Sequence, residues 1–263
     1  SPMLPDAASY DDLIRDFRWR IPSRYNIAQS ACDRWAAREP DRLAIRQVME
    51  DGSHADLSYG DLRDRSERFA RALQRHGIGP GDRVALLLPQ CHEAAIAHFA
   101  IYKLGAIALP LALLFGPEAL EHRLTDSGAV AAVANGLGVA KLDEIADRTP
   151  AMRTIFCTDG PRGAAIDFHK ALSDSAPGFG TADTAPDDAA MMIYTSGTTG
   201  LAKGALHGHR VVLGHVPGLQ LPHEFMPRPG DLMWTPADWA WAGGLLNVLL
   251  PALHLGVAVV AQP

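Results

Sequence analysis

An α/β fold of layered sheets with flanking helices is what this 263-residue sequence predicts, on three observations. Short apolar runs alternate along the chain with amphipathic helical patterns, the order expected of a largely parallel sheet with helices on its faces. With 48% hydrophobic and 21% charged residues, the chain has ample material for a core and an ordinary globular surface. One apolar run, 189–194, leads straight into a loop of glycines and hydroxyls, an arrangement that suits an anion.

The elements follow in order. A helical pattern over 27–38 precedes a strand at 43–48. A long helix over 59–76 ends in the turn Gly77-Ile78-Gly79-Pro80-Gly81-Asp82, which hands the chain to a strand at 83–88. Helix 91–104, strand 106–109, helix 117–125, strand 130–134, helix 139–146 and strand 154–157 continue the alternation. The stretch 159–188 is rich in Gly, Pro, Ser, Asp and Ala apart from a short helix candidate at 166–172. It reads as a link, with 176–188 as the connector proper. Strands at 189–194, 232–235 and 257–260 close the series. The expected organisation is an N-terminal extension (1–26), a first α/β subdomain (27–175), the connector, and the start of a second subdomain (189–263).

Composition narrows the function. A net charge of −6 argues against general nucleic-acid binding, which needs a basic face. Cys32, Cys91 and Cys157 fit neither a disulfide framework nor a metal spacing, as expected of thiols in a reducing cytoplasm. Residues 1–20 carry Asp6, Asp11, Asp12 and Asp16 and lack the apolar centre of a signal peptide. The apolar segment 243–261 is interrupted by Asn247, Pro251, His254 and Gly256, so a helix–turn–strand unit is expected there instead of a membrane span.

The chemistry concentrates in Met191-Met192-Ile193-Tyr194-Thr195-Ser196-Gly197-Thr198-Thr199-Gly200-Leu201-Ala202-Lys203-Gly204. Glycines let a backbone turn with positive φ and bring amide groups close to an anion. Thr195, Ser196, Thr198 and Thr199 add hydroxyl donors, and Lys203 adds a positive charge. Hydrogen bonds to a charged oxygen contribute about 1.5–3 kcal/mol each, so a handful make an effective polyphosphate site. Two familiar phosphate loops do not fit. Counting from Gly197, the second glycine of the P-loop NTPase pattern would fall on Ala202, and Lys203 is followed by Gly204 instead of a hydroxyl. The dinucleotide fingerprint needs one residue between its first two glycines and fails as well.

The loop resembles the signature of the adenylate-forming, or AMP-binding, family: acyl-CoA synthetases, aryl-CoA ligases, luciferases and peptide-synthetase adenylation domains. It departs from that pattern at Ala202, where proline is usual. Leu57-Ser58-Tyr59-Gly60-Asp61-Leu62, Tyr102-Lys103-Leu104-Gly105-Ala106-Ile107-Ala108-Leu109-Pro110 and Asp126-Ser127-Gly128-Ala129 resemble other segments of the family, in the family's order. Thr235-Pro236-Ala237-Asp238-Trp239-Ala240-Trp241 is similar to the region lining the acyl pocket of acyl-CoA synthetases. Asp238 also aligns with the Asp of amino-acid adenylation domains, but the two tryptophans and the absent Ser favour an acid without an amine. Packing is the alternative role for the indoles, less so for Trp241, which aligns with the family's Trp.

The resemblance implies an acid–thiol ligase. Such an enzyme couples a carboxylic acid (fatty or aryl) to the α-phosphate of ATP, releases pyrophosphate, and passes the acyl group to coenzyme A. It implies phosphate binding by Thr195, Ser196, Gly197, Thr198, Thr199, Gly200 and Lys203, with Lys203 catalytic, and acid binding by Asp238, Trp239 and Trp241. Magnesium is expected to arrive with ATP. Its usual protein ligand, the ribose-binding Asp and the late catalytic lysine lie in family segments beyond this sequence. The resemblance therefore covers the front part of a large, truncated domain, expected to turn over little by itself; a non-catalytic nucleotide- or partner-binding module is the alternative. His207, His209 and His215 have no acidic neighbour before Glu224, which disfavours a zinc site.

Overall fold

The computed structural model describes residues 3–196 and 200–263. Helix α1 (Tyr10–Asp16) is capped by Ser9, whose hydroxyl accepts from the Asp12 amide. A π-type turn (Gln29–Asp33) runs into α2 (Arg34–Arg38), so the helix expected over 27–38 carries a bulge. Strand β1 (Leu43–Val48) pairs antiparallel with β2 (His54–Ser58). There follow α3 (Tyr59–Arg75), β3 (Arg83–Leu87), α4 (His92–Leu104), β4 (Ile107–Pro110), α5 (Pro117–Ser127), β5 (Ala131–Ala134) and α6 (Gly136–Glu144). Next come β6 (Thr154–Cys157), β7 (Ile166–Asp167) and α7 (Phe168–Ser173). The hairpin β8 (Ala189–Thr195) and β9 (Lys203–Gly208) precedes α8 (Val211–Gln220) and β10 (Leu232–Met233). The last elements are α9 (Ala242–Gly244), a second π-type turn (Leu245–Leu249), α10 (Leu250–His254) and β11 (Ala258–Ala261).

Local chemistry sets the boundaries. Ser58 opens α3 by accepting from the Asp61 amide, and Gly105 ends α4 at φ +74°, a left-handed cap that only glycine adopts freely. The helix expected at 139–146 begins three residues earlier because Asn135 caps it, its side-chain oxygen accepting from Gly138 N at 2.9 Å.

The strands form two sheets. One has the order β10-β11-β1-β2, the other β7-β6-β5-β3-β4-β8-β9. All neighbours in both are parallel except β1–β2 and β8–β9. The chain moves from β3 to β4 in one direction and from β4 back across β3 to β5 in the other. Right-handed crossovers then put α4 and α5 on opposite faces. The side chains record this with period two. Val84, Leu86, Ala131, Val133, Met191 and Ile193 face the larger core beside α3 and α4. Ala85, Leu87, Ala132, Ala134 and Tyr194 face the smaller core beneath α5 and α6. Tyr194 and α5 therefore share one face.

The larger core holds one buried ion pair. Lys103 of α4, fully buried, donates to Asp33, whose other oxygen accepts from the Thr181 hydroxyl at 2.6 Å. This ties α4 and the first π-type turn to residue 181. Among the described residues no helix is long and apolar enough to cross a membrane.

Candidate active site

The glycine- and hydroxyl-rich loop is the closed end of a hairpin. Thr195 pairs with Lys203 and Tyr194 with Gly204, the last paired positions of the β8–β9 hairpin. Strand β8 lies parallel to β4, which puts its carboxyl end, and hence the loop, at the carboxyl edge of the sheet. Open α/β sheets hold their ligands at that edge. Of the expected phosphate-binding residues, Thr195, Ser196, Gly200 and Lys203 are all exposed. Gly197, Thr198 and Thr199 lie outside the described residues. Gly200 has φ +102°, and Lys203 has no ion pair among the described residues. A Cβ at Gly204 would crowd its neighbours, meeting Met192 Sδ at 2.9 Å and the Tyr194 ring at 3.0 Å.

Helix α5 supports the hairpin from one face, a contact that the Asp126-Ser127-Gly128-Ala129 segment did not by itself reveal. Tyr194 Oη donates to Asp126 Oδ2 at 2.6 Å. His122 Nε2 lies 2.7 Å from the Ala202 carbonyl oxygen, which can only accept, so Nε2 carries the proton. Arg123 lies between two rings, its guanidinium carbon 4.2 Å from the centroid of Phe115 and 5.6 Å from that of Tyr194. Burial lowers the Arg123 pKa, and burial together with the Asp126 bond raises that of Tyr194. The Phe115 ring in turn meets the Trp241 indole edge-on, centroids 5.6 Å apart.

That last contact brings the second expected region beside the first. Trp241 is partly exposed, whereas Trp239 is buried and borders a small cavity with Leu86, Leu88, Ala94, His98 and Pro110. The Trp239 Nε1 has no acceptor among the described residues. Asp238 is half-buried and its Oδ1 accepts from Ala240 N at 2.9 Å. Burial raises its pKa above the ordinary carboxylate value, and the Ala240 bond opposes the rise. Gln90 fixes the segment, donating through Nε2 to the Thr235 and Ala237 carbonyls at 3.0 and 2.8 Å. Beside it a cavity of about 480 Å³ opens between α8 and the second π-type turn, lined in part by His215, Gly218, Thr235, Gly243 and Asn247.

The three histidines after the hairpin go separate ways. His209 is buried and accepts from the Ile27 amide at 3.0 Å, while His215 Nδ1 lies 2.9 Å from Asn247 Oδ1. Burial, and then nearby His215, lowers the His207 pKa. Among the described residues no group of three His, Cys, Asp or Glu side chains is placed to hold a metal ion.

The family model described as AMP-binding enzyme matches residues 32–263. The chain belongs to that family. The acetyl-coenzyme A synthetase of Novosphingobium aromaticivorans is 28% identical over 96% of this chain and 41% of its own length. The corresponding enzyme of Halorhodospira halophila is 30% identical over 89% of this chain and 39% of its own. Among solved structures, the acyl-CoA synthetase of Brucella canis superposes with a TM-score of 0.85 at 28% identity, covering 96% of this chain and 47% of that one. The chain thus spans about two fifths of the length of the curated relatives it matches.

Proposed function

We propose that this chain is the nucleotide-phosphate and acid-entry portion of an AMP-forming acyl-CoA synthetase. The observation that carries the reading is the hairpin: an exposed cation, Lys203, sits in register with Thr195 at the sheet's carboxyl edge, and α5 connects it through Phe115 to Trp241. Residues 195–200 and Lys203 would hold the β- and γ-phosphates of ATP by amide, hydroxyl and ammonium donors. Asp238, Trp239 and Trp241 would shape the acid's entrance, with Trp241 exposed to the substrate and Trp239 packed behind it.

The chemistry follows from a poor leaving group. A carboxylate resists attack because its departing oxygen would be an oxide. In the first step a carboxylate oxygen forms a bond to the α-phosphorus and the α-phosphorus–bridging-oxygen bond breaks, so pyrophosphate departs with the electron pair. In the second, the thiol of coenzyme A adds to the acyl carbon, loses its proton, and AMP leaves with the former carboxylate oxygen. Holding the terminal phosphates aligns the α-phosphorus for in-line attack and stabilises charge that grows on pyrophosphate. At about 4 Å from a phosphate oxygen, an ammonium contributes on the order of 4 kcal/mol in a partly screened site, before desolvation. Magnesium bound with ATP would supply further neutralisation of the phosphates.

The test is acid-dependent exchange of pyrophosphate into ATP by the complete polypeptide. Lys203→Ala is expected to lower exchange by at least about 100-fold, as loss of a transition-state donor does elsewhere. Unchanged exchange removes the hairpin from the mechanism; no exchange in the wild-type protein with any acid favours a binding module.

A further inference from the structure

A second cavity, with an apolar side and an arginine-bearing side, lies between the N-terminal segment and the end of α10, with a volume of about 380 Å³. Its wall carries three guanidinium groups, Arg20, Arg24 and Arg34, and no carboxylate, in a chain whose net charge is −6. Arg24 is balanced by Asp183, its Nε 2.9 Å from Oδ1. The other two have no such partner among the described residues. Arg34 is the more telling. It donates through Nη2 to the His254 carbonyl at 2.7 Å and lies over the Trp35 ring, while its Nε is buried with no acceptor among the described residues. Burial lowers its pKa, and no nearby carboxylate opposes that shift.

A partly buried cation without a counter-charge is costly, and an anion in contact with it removes the cost. The rest of the wall suits such a ligand. Tyr25 Oη lies 2.7 Å from Ser30 Oγ, which lies 3.0 Å from His254 Nδ1, so hydroxyl groups border the same space. Met3, Pro22 and Leu213 supply an apolar side. The volume falls within the range of about 300–1,000 Å³ usual for small-molecule sites.

The geometry points to a binding site for a small organic phosphate in this cavity, with Arg20 and Arg34 as its anchors. Two uncompensated guanidiniums match a phosphate monoester, which carries about −1.5 to −2 at neutral pH and presents three acceptor oxygens to their forked donors. A monocarboxylate supplies half that charge. The site does not depend on the acyl-CoA synthetase reading and uses none of its residues.

Phenyl phosphate, with inorganic phosphate and benzoate as comparators, is titrated into the full polypeptide by calorimetry, and the arginine Nε–H resonances are followed by NMR. Phenyl phosphate is expected to saturate with Kd below about 1 mM, shifting the Arg34 Nε–H signal, and benzoate to bind at least about tenfold more weakly. Arg20→Ala, at an exposed position, is expected to weaken phenyl phosphate about tenfold, and Lys170→Ala, exposed on α7, to leave it unchanged. Arg34→Lys retains the charge but loses the fork and is expected to weaken binding similarly. Loss of binding in Lys203→Ala with none in Arg20→Ala would assign the anion to the hairpin and overturn the proposal. So would the absence of saturable binding, equal binding of benzoate, or an acidic side chain of the same polypeptide filling the cavity in a crystal structure.

Discussion

Removing the Tyr194 hydroxyl tests whether α5 holds the β8–β9 hairpin in place. Tyr194→Phe deletes one donor and leaves the ring, which is 7% exposed, packed beside Arg123 and Gly204. The lost bond spans 2.6 Å to a carboxylate oxygen, and hydrogen bonds to charged groups are worth about 1.5–3 kcal/mol net. Asp126 is exposed at the end of α5, so water takes over its lone pairs and the expected loss is at the lower end, about 1.5 kcal/mol. Urea unfolding should show this as a lower midpoint with an unchanged slope. A double-mutant cycle with Asp126→Ala should return a coupling of about 1 kcal/mol. The pH dependence adds a sign. The folded pKa of Tyr194 lies above its ordinary 10.0, so the folded state keeps the proton longer than the unfolded chain. The stabilisation is therefore complete below pH 10.0 and declines as pH rises through the folded value, and the gap between wild type and Tyr194→Phe should narrow there. Equal stability of the two proteins at pH 7, or a coupling near zero, would show that α5 does not hold the hairpin through this bond.

Other expectations follow from the same coordinates. Gly204→Ala places a methyl group 2.9 Å from Met192 Sδ and 3.0 Å from the Tyr194 ring, and should destabilise by about 1–3 kcal/mol in thermal or denaturant unfolding. His98 and His209 are buried neutral with pKa values lowered to about 4 from 6.5. Because the unfolded chain then binds more protons, stability should fall as pH drops from 6.5 towards 4, by on the order of 3 kcal/mol per histidine, and His98→Gln should flatten that decline. Pyrophosphate exchange in Lys203→Ala, with the large loss anticipated above, tests the proposed mechanism directly.

Sequence by itself determined what short-range chemistry controls. The alternation of apolar runs and amphipathic helices announced the parallel sheet, and β1 and β6 fall on the residues expected. The loop 195–204 could be read as an anion-binding turn because its glycines, hydroxyls and lysine are contiguous. Strand β2 gives no sequence signal because His54 and Asp56 are polar and Ala55 is small, leaving no apolar stripe; it is an edge strand that needs only β1 as a partner. Nor could the sequence say which indole turns inward: Trp239 and Trp241 are two residues apart, yet Trp239 is 2% exposed and Trp241, against Phe115, 38%.

Only the tertiary structure decided what stands behind the loop. His122 and Asp126 reach it from 80 and 68 residues away because the strand order puts β8 next to β4 and the crossover hand puts α5 on the face of Tyr194. The arginine-lined cavity by α10 likewise joins residues 20–34 to residue 254, which share no local pattern. Sequence motifs register groups that act as neighbours along the backbone. Groups that become neighbours only when sheets form and helices choose faces leave no such trace, since any one of them reads as an ordinary surface or core residue until its partner arrives.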